Sequence, residues 1–229
     1  MRHLLHALPD ELTEITADSS VRHRLRRVLR LDDGAPLVLC DGAHRTQPVT
    51  WHGDRFAAAG PVQLHEPVRP ELYLAAGVLK GERQDWLVEK AAELGVDQFV
   101  PLLLDHGVVR VHDRAEKQAR WQAIADGALE QCGRTWRMHV TLPMTLTQWL
   151  PGAPSFFADE TGGASWRAVT GKHTTVPWRV AVGPEGGWSA NERALLHHFA
   201  ATAISLGPLV LRAETAGLTV AAIARGHDA

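Results

Sequence analysis

Two glycine-bearing segments in the C-terminal half of the chain have the composition of ligand-binding loops. Gly183-Pro184-Glu185-Gly186-Gly187 follows the apolar run 180–182, and Leu206-Gly207-Pro208 leads through Leu211 to Arg212-Ala213-Glu214-Thr215-Ala216. Ligands collect at the carboxyl ends of strands in open parallel sheets, and glycine there lets the backbone approach a ligand. One such segment alone is typical of a tight strand-to-helix turn. Two of them, with an arginine and glutamates embedded, indicate a cofactor pocket.

The glycine spacing limits which cofactor this pocket can take. Neither segment matches GxGxxG or the phosphate-binding loop that ends in Gly-Lys-Ser/Thr. A dinucleotide or a nucleoside triphosphate is therefore poorly supported, and a nicotinamide-dependent dehydrogenase is a distant third interpretation. We also expect no metal, because the thirteen histidines and the two cysteines, Cys40 and Cys132, show no metal-ligand spacing.

A basic helix near the N-terminus is a candidate contact for nucleic acid. Apolar residues recur at helical spacing over 21–29, and Ser19 or Ser20 is expected to cap the helix. No acid occurs between 21 and 31, and the arginines are Arg22, Arg24, Arg26, Arg27 and Arg30. Guanidinium groups pair well with phosphate oxygens, but a run of charge also suits a plain solvated face. Because the formal net charge is only -2, any basic footprint must be local.

The elements that must position these residues fall into two regions, which we predict to be domains 1–67 and 68–229. In the first, short strands at 36–40, 45–51 and 55–62 alternate with polar turns, which favours a small β-barrel or meander. Beyond a proline-rich linker, strands alternate with helices, as in α/β proteins with a mostly parallel sheet. The predicted strands are 72–79, 96–104, 155–158, 178–182 and 203–206; the predicted helices are 83–94, 115–132, one opening at the capping box Ser189 to Glu192, and 215–225.

Composition is that of a globular protein. Apolar residues make up 45% of the chain and charged residues 22%, which is enough for a real core. The longest uncharged stretch, 138–158, is broken by prolines and is too polar to span a bilayer. No secretory signal is visible at the N-terminus, and the few cysteines suggest a reducing compartment. We therefore expect a cytoplasmic protein without membrane contact.

The two glycine-bearing segments resemble motifs of the RsmE family, the 16S rRNA uridine-N3 methyltransferases. Gly183 to Gly187 with Ser189 and Glu192 resembles the family's GPEGG-x-S-x-x-E motif. Leu206 to Ala216 resembles its LG-x-x-(I/V)-LR-x-ETA motif, with Ala213 where many members carry threonine.

Three further segments resemble the same family in the same order. Glu130-Gln131-Cys132-Gly133-Arg134 resembles its EQ-x-x-R segment, and 80–83 with 89–96 resembles its first strand-helix unit. The arginine-rich helix followed by Asp41-Gly42 resembles its PUA-like RNA-binding domain. The resemblance covers nearly the whole chain, except that 159–177 does not align.

The resemblance implies a C-terminal SPOUT domain with a deep trefoil knot, a PUA-like N-terminal barrel, and a homodimer with the active site at its interface. It implies S-adenosylmethionine as cofactor and methyl transfer to N3 of uracil 1498 in 16S rRNA of the small ribosomal subunit. The implied cofactor-binding residues are Gly183, Pro184, Glu185, Gly186, Gly187, Leu206, Gly207, Leu211, Glu214, Thr215 and Ala216. The implied RNA-binding residues are the five arginines of the basic helix together with Lys80 and Arg83.

The implied reaction sets the roles of the charged residues. A sulfonium methyl is already activated, so catalysis is mainly a matter of positioning, and no metal is needed. Uracil N3 is protonated and lies on the pairing edge, so the base must be unpaired or extruded and its proton must leave. Arg134 and Arg212 are expected to stabilise charge on the uracil oxygens or to hold a phosphate, and Glu130, Glu185 or Glu214 to accept the proton. Each carboxylate could equally serve a structural role.

The tryptophans and two rival functions remain open at this point. Trp86 and Trp121 fall within helical patterns and are expected in the core, whereas Trp136 and Trp188 lie beside motif segments and could stack on a base or cofactor, or simply pack. One rival is a SPOUT methyltransferase acting on another rRNA or tRNA position. The other is a non-catalytic RNA-binding module of ribosome assembly.

Overall fold

The chain folds into two compact units. The computed structural model describes residues 2–9, 14–152, 155–170 and 176–226. The first unit comprises Met1–Pro67 and Leu129–Arg137, and the second comprises Val68–Ala128 and Met138–Ala229. The units differ from the predicted domains 1–67 and 68–229 in Leu129–Arg137, which bonds within the first unit: the His44 amide donates to Thr135 O and the Arg137 amide to Gly42 O, both at 2.8 Å.

The first unit is built on a six-stranded sheet. Its strands are β1 (Arg2–Leu5), β2 (Glu14–Thr16), β3 (Ala35–Cys40), β4 (Arg45–Trp51), β5 (Arg55–Ala58) and β6 (Gln63–Leu64). They run in the order β1-β3-β4-β5-β2 with β6 on β4, and only the β1–β3 pair among them is parallel. Within the described residues, β1 and β2 are the two edges of this path. The predicted strand 55–62 is shorter than expected because Gly60 and Pro61 interrupt it, and proline has no amide to donate.

The basic helix begins at a carboxylate rather than at a hydroxyl. Helix α1 (Ser19–His23) continues as a π-helical turn over Arg24–Val28. Asp18 caps it by accepting hydrogen bonds from the amides of Ser20 at 2.8 Å and Val21 at 2.9 Å. The prediction that Ser19 or Ser20 caps the helix was therefore wrong, since a charged acceptor also complements the positive end of the helix dipole. Hydrogen bonds from the Val21 amide and the Ser20 hydroxyl lower the pKa of Asp18.

The second unit is an α/β structure with a parallel sheet, as predicted. Its strands are β7 (Leu72–Gly77), β8 (Gln98–Leu103), β9 (His139–Val140), β10 (Met144–Thr145), β11 (Ser155–Ala158), β12 (Ala164–Ser165), β13 (Trp178–Val182) and β14 (Thr202–Ser205). Their order is β10-β8-β7-β13-β11-β14-β12 with β9 on β8, and every pairing recorded for the described residues is parallel. The helices are α2 (Glu82–Glu93), α3 (Arg114–Cys132, of which 129–132 belong to the first unit), α4 (Leu146–Trp149), α5 (Trp166–Thr170), α6 (Ala190–His198) and α7 (Ala213–Arg225). No described helix is both long and apolar enough to cross a membrane.

Helix α7 is held at both ends of its packing surface. Near its start, Gly217 lies against α2, where an added Cβ would come within 3.1 Å of Leu87 Cδ1. At its end, Arg225 donates to Gly95 O at 2.9 Å and to Pro70 O at 2.8 Å, and it pairs with Asp97. These contacts fix the position of the helix whose first turn borders the site described below.

The two tryptophans expected in the core differ in outcome. Trp121 of α3 is buried, which confirms the prediction. Trp86 of α2 is 45% exposed, and that prediction was wrong. The buried stripe of α2 runs through Gln84, Leu87 and Val88, so position 86 falls on the opposite face.

Candidate active site

Both glycine-bearing segments meet at one edge of the parallel sheet. Strands β13, β11 and β14 are consecutive neighbours and parallel, so their carboxyl ends lie at the same edge. The loops that follow them surround a cavity of about 290 Å³. Its lining residues are Ala158, Asp159, Glu160, Val182, Gly183, Pro184, Glu185, Gly186, Gly187, Trp188, Leu206, Gly207, Pro208, Leu209, Val210, Leu211, Ala213 and Ala216.

The glycines of the first loop occupy places where a side chain would not fit. A Cβ on Gly183 would lie 3.2 Å from the Trp188 ring, and one on Gly186 would lie 2.9 Å from His106 Cβ. Gly187 has a φ of +69°, in the left-handed region that favours glycine. The loop therefore lies tightly on its surroundings, and larger residues at these positions would displace it.

The loop is also anchored to neighbouring strands. Trp188 is buried, packs edge-on against Phe157, and donates from Nε1 to Ala158 O at 2.9 Å. Pro184 lies over β7, where a Cβ on Gly77 would come within 3.1 Å of the Pro184 nitrogen. Trp188 is thus a wall of the cavity whose polar atom is already engaged, so its contact with a ligand would be through the ring face or edge.

The predicted capping box is confirmed and does more than start α6. Ser189 Oγ accepts from the Glu192 amide at 3.2 Å, and Glu192 accepts from the Ser189 amide at 2.8 Å. Glu192 also accepts from the Asp105 amide at 2.8 Å, and Ser189 Oγ donates to Asp105 at 2.6 Å. Next along the chain, His106 Nδ1 lies 3.0 Å from Gly186 O, so that nitrogen carries the proton. The segment after β8 is thereby tied to the first loop.

An acidic pair after β11 enters the cavity wall and was missed by the sequence motifs. Arg193 of α6 donates to Asp159 at 2.5 Å and to Glu160 at 2.8 Å. Burial alone would raise the pKa of Asp159, but hydrogen bonds from the Thr161 amide, from Arg193 and from the Thr161 hydroxyl outweigh it and lower that pKa. The signal available in the sequence was position: the pair directly follows the apolar strand 155–158 at the same sheet edge.

The second loop contributes mostly apolar surface. Of the predicted cofactor-binding residues in this segment, Leu206, Gly207, Leu211 and Ala216 line the cavity, whereas Glu214 and Thr215 are absent from its described lining. Leu209 and Val210 also line it, yet they are 75% and 83% exposed. The loop therefore presents two large apolar side chains to solvent at the rim of the cavity.

Arg83 connects the two motif segments by charge. It pairs with Glu185 of the first loop, and its Nη1 lies 3.8 Å from Oε2 of Glu214 in α7. Glu214 is buried, and Oε2 has no hydrogen-bond partner among the described residues. Arg212, at the N-cap of α7, is exposed, as is Lys80.

The EQ-x-x-R segment lies in the first unit. Glu130 accepts hydrogen bonds from the Leu5 amide at 3.0 Å and from Arg24 Nη1 at 3.0 Å, and its second oxygen also pairs with Arg24. Arg134 is buried with its guanidinium 4.4 Å from the centroid of Trp136. Trp136 in turn stacks on His44 at 5.5 Å between ring centroids. These contacts give Glu130, Arg134 and Trp136 structural partners within the unit.

Three of the five helix arginines converge on the surface of the first unit. Arg22, Arg26 and Arg27, with Ser19 and His23, line an open cavity of about 250 Å³. Arg24 differs because its guanidinium is held by Glu130. The exposed arginines form a compact basic surface of the kind that phosphate groups favour.

Comparison with known proteins places the chain among RNA-modifying enzymes. A family model described as an RNA methyltransferase domain matches residues 66–225. A ribosomal RNA small subunit methyltransferase E from Synechocystis is 29% identical over 94% of this chain and 75% of that protein. Its Bacillus subtilis namesake is 26% identical over 86% of this chain and 83% of that protein. A putative methyltransferase from Legionella pneumophila, solved with bound SAM, superposes with a TM-score of 0.86 at 26% identity, covering 99% of this chain and 96% of that one.

Proposed function

The chain belongs to the RNA methyltransferase family of the RsmE type, and on this basis we propose that it methylates a uridine of small-subunit ribosomal RNA in the cytoplasm. The methyl donor is S-adenosylmethionine, and the target atom is N3 of uracil 1498 in 16S rRNA. One observation carries this proposal: the two motif loops and the end of β11 enclose a single cavity at the edge of a parallel sheet. Relatives named ribosomal RNA small subunit methyltransferase E align over most of the chain.

The cavity suits S-adenosylmethionine in shape and in charge. Its volume of about 290 Å³ is near the lower end for small-molecule pockets, and Leu206, Leu211 and Ala216 offer apolar walls to an adenine ring. In the described lining, every formally charged side chain is a carboxylate, namely Asp159, Glu160 and Glu185. Arg83 and Arg193 pair with these carboxylates and neutralise part of their charge, and the negative charge that remains in excess favours a ligand with positive charge and disfavours the phosphates of nucleotide cofactors. The residues present therefore fit the donor that we propose.

The reacting end of the site is best placed near Glu185 and Glu214. The bound donor would supply a methyl group already activated by positive sulfur, so this chain has to orient the uridine and accept the N3 proton. Glu130 is already engaged by Arg24 and the Leu5 amide, which favours a structural role for it. Glu214 has a buried oxygen without a hydrogen-bond partner in the described structure, and Arg83 bridges it to Glu185. We assign proton acceptance to one of these two carboxylates.

The arginine candidates for charge stabilisation differ in accessibility. Arg212 is exposed at the start of α7, next to the cavity residue Ala213, and is suited to stabilise charge that develops on the uracil oxygens. Arg134 is buried against Trp136, so a contribution to catalysis would be exerted through neighbouring residues. We therefore assign the charge-stabilising role first to Arg212.

The first unit would bind RNA as a PUA-like domain. The surface formed by Arg22, Arg26 and Arg27 supports this role, because three exposed guanidinium groups lie together on one short helix. Such contacts position an RNA without reading its sequence, so choice of the target uridine would depend on the rest of the RNA structure.

We extend the proposal to a knotted, homodimeric second domain. The exposed Leu209 and Val210 at the cavity rim support dimerisation, because a partner subunit would remove both side chains from water. Light scattering on the purified protein is expected to give twice the mass of the chain. A measured mass equal to that of one chain at high micromolar concentration would count against the dimer.

Mass-spectrometric mapping of modified uridines tests the reaction directly. In 16S rRNA from cells that lack the protein, the N3-methyl group on the target uridine should be absent, and it should return with the wild-type chain. Loss of a methyl group from tRNA or from another rRNA position would identify a different SPOUT activity. Calorimetry with S-adenosylmethionine covers the remaining rival, since a non-catalytic RNA-binding module with a vestigial pocket would give no heat of binding.

A further inference from the structure

We infer that Glu160 recognises the ribose of the nucleoside held in the cavity by accepting hydrogen bonds from its 2′- and 3′-hydroxyl groups. This inference rests on the proposed function, because it describes the same cavity more closely. The motifs gave no indication of it, since 159–177 matches none of them. It assigns a specificity-determining role to the loop after β11.

The hydrogen bonds of the cavity carboxylates separate Glu160 from Asp159. Asp159 accepts from the Thr161 amide at 2.9 Å, from the Thr161 hydroxyl at 2.8 Å and from Arg193 at 2.5 Å. Its side chain is 7% exposed, so it has little capacity left for a ligand. Glu160 accepts from Arg193 through Oε1 at 2.8 Å, and its Oε2 has no partner among the described residues. Glu160 therefore combines an anchored oxygen with an open one.

Arg193 makes Glu160 a prepared acceptor. One guanidinium holds both acids of the loop, and a carboxylate fixed in this way loses little further freedom when a ligand binds. A vicinal diol presents two O–H donors that a carboxylate can accept together, and hydrogen bonds to a charged acceptor are stronger than neutral ones. The lowered pKa of Asp159 means that Asp159 stays ionised, so Arg193 remains paired with this loop.

The position of Glu160 in the cavity distinguishes it from Glu185. Glu185 pairs with Arg83, which also faces Glu214, and this group forms the proposed reacting end. Glu160 follows β11, the middle of the three strands, and lies beside Gly187, where a Cβ would come within 3.1 Å of Glu160 Oε1. Glu160 and Glu185 thus belong to different loops and pair with different arginines. The carboxylate that does not pair with Arg83 is left for the sugar.

A ligand-by-variant binding experiment separates ribose recognition from a general effect on the loop. The dissociation constants of S-adenosylhomocysteine and of its 2′-deoxy and 3′-deoxy forms are measured by calorimetry on the full chain. The variants are Glu160→Ala, Glu160→Gln, and Glu116→Gln as a matched surface control on α3, with thermal denaturation of each to confirm folding. Glu116 is exposed and absent from the described lining.

Loss of the carboxylate should weaken the parent ligand selectively. We expect Glu160→Ala to raise the dissociation constant of S-adenosylhomocysteine about ten- to hundred-fold. The deoxy ligands should bind wild type more weakly, and Glu160→Ala should weaken each of them by a smaller factor than it weakens the parent ligand, because each keeps only one of the two hydroxyl groups. Glu160→Gln, which keeps one acceptor oxygen, should lie between wild type and Glu160→Ala, and Glu116→Gln should match wild type.

Two results would overturn the inference while leaving the proposed function intact. The first is an equal loss for the parent and both deoxy ligands, which would mean that Glu160 acts only through Arg193 on the shape of the loop. The second is unchanged binding of the parent ligand to Glu160→Ala. If wild type itself fails to bind S-adenosylhomocysteine or S-adenosylmethionine, the proposed function falls, and the ribose assignment falls with it.

Discussion

Removing the guanidinium of Arg225 is expected to destabilise the second unit and to loosen the cavity. Arg225, at the end of α7, donates to Gly95 O and Pro70 O and pairs with Asp97. Arg225→Met keeps most of the aliphatic stem and removes every donor. The first turn of the same helix supplies Ala213 to the cavity wall, so loss of the Arg225 contacts at the end of α7 should also change the position of its first turn.

The size of the effect follows from burial. The side chains of Arg225 and Asp97 are 13% and 15% exposed, so water screens their attraction only slightly. Removing one partner of a buried pair costs about 3–5 kcal/mol. Because the Leu72 amide still donates to Asp97 at 2.6 Å, we expect the lower value, about 3 kcal/mol. For a domain of this size that corresponds to a fall in melting temperature of about 6–12 °C.

Thermal denaturation followed by circular dichroism measures this directly, with Arg120→Met as the matched control. Arg120 pairs with Asp85, but its side chain is 61% exposed, and such surface pairs contribute about 1 kcal/mol or less. Calorimetry on Arg225→Met should also show weaker binding of S-adenosylmethionine. A melting temperature for Arg225→Met within about 2 °C of the Arg120→Met value would refute the idea that this contact fixes α7.

Three further predictions concern the cavity loop, acid stability and RNA contact. In Gly186→Val, the Cβ of the new side chain would lie 2.9 Å from His106 Cβ, so the loop must shift. Calorimetry should then show at least about ten-fold weaker binding of S-adenosylmethionine, and affinity equal to that of wild type would contradict this prediction. Because the pKa of Asp159 is lowered in the folded protein, the ionised carboxylate stabilises the fold at pH values above about 3.8, the ordinary pKa of aspartate. This contribution disappears as the pH falls through the lowered pKa. Urea denaturation should therefore show Asp159→Asn less stable than wild type at pH 7, with the difference shrinking in acid; an equal difference at about pH 2–3 would contradict it. Arg26→Ala should reduce the salt dependence of RNA binding by about one unit of slope, whereas Arg24→Ala should mainly lower the melting temperature, because Arg24 is held by a carboxylate; equal slopes for the two variants would count against the basic surface.

The arginines show how tertiary pairing divides a run of charge into separate roles. Arg24 and Arg83 each pair with a carboxylate that lies more than one hundred residues away along the chain. Their charge is partly neutralised, which leaves less of it for phosphate groups. Arg22, Arg26 and Arg27 remain exposed on one surface. An RNA-binding assay on single variants should therefore divide the helix arginines into two groups rather than one.

Interactions between residues that are close in the sequence determine much of the local structure of this protein. Apolar runs such as 178–182 followed by glycine predict a strand and its turn, and the spacing of Ser189 and Glu192 predicts the start of α6, because these are interactions within a few residues. The alternation of such units beyond residue 67 indicated a parallel α/β structure. Short elements such as α4 (Leu146–Trp149) and β12 (Ala164–Ser165) were missed because they are too short to show a period.

Only the tertiary structure decided which loops share the cavity. β11 lies between β13 and β14, so Asp159 and Glu160 join the two motif loops although no motif includes them. The pairing of Glu130 with Arg24 likewise joins residues 106 positions apart. Strand order, and ion pairs between residues so far apart in the sequence, depend on how whole elements pack, and local periodicity does not predict them. The sequence therefore determined which loops could bind a ligand, and the packing of the sheet determined which carboxylates face it.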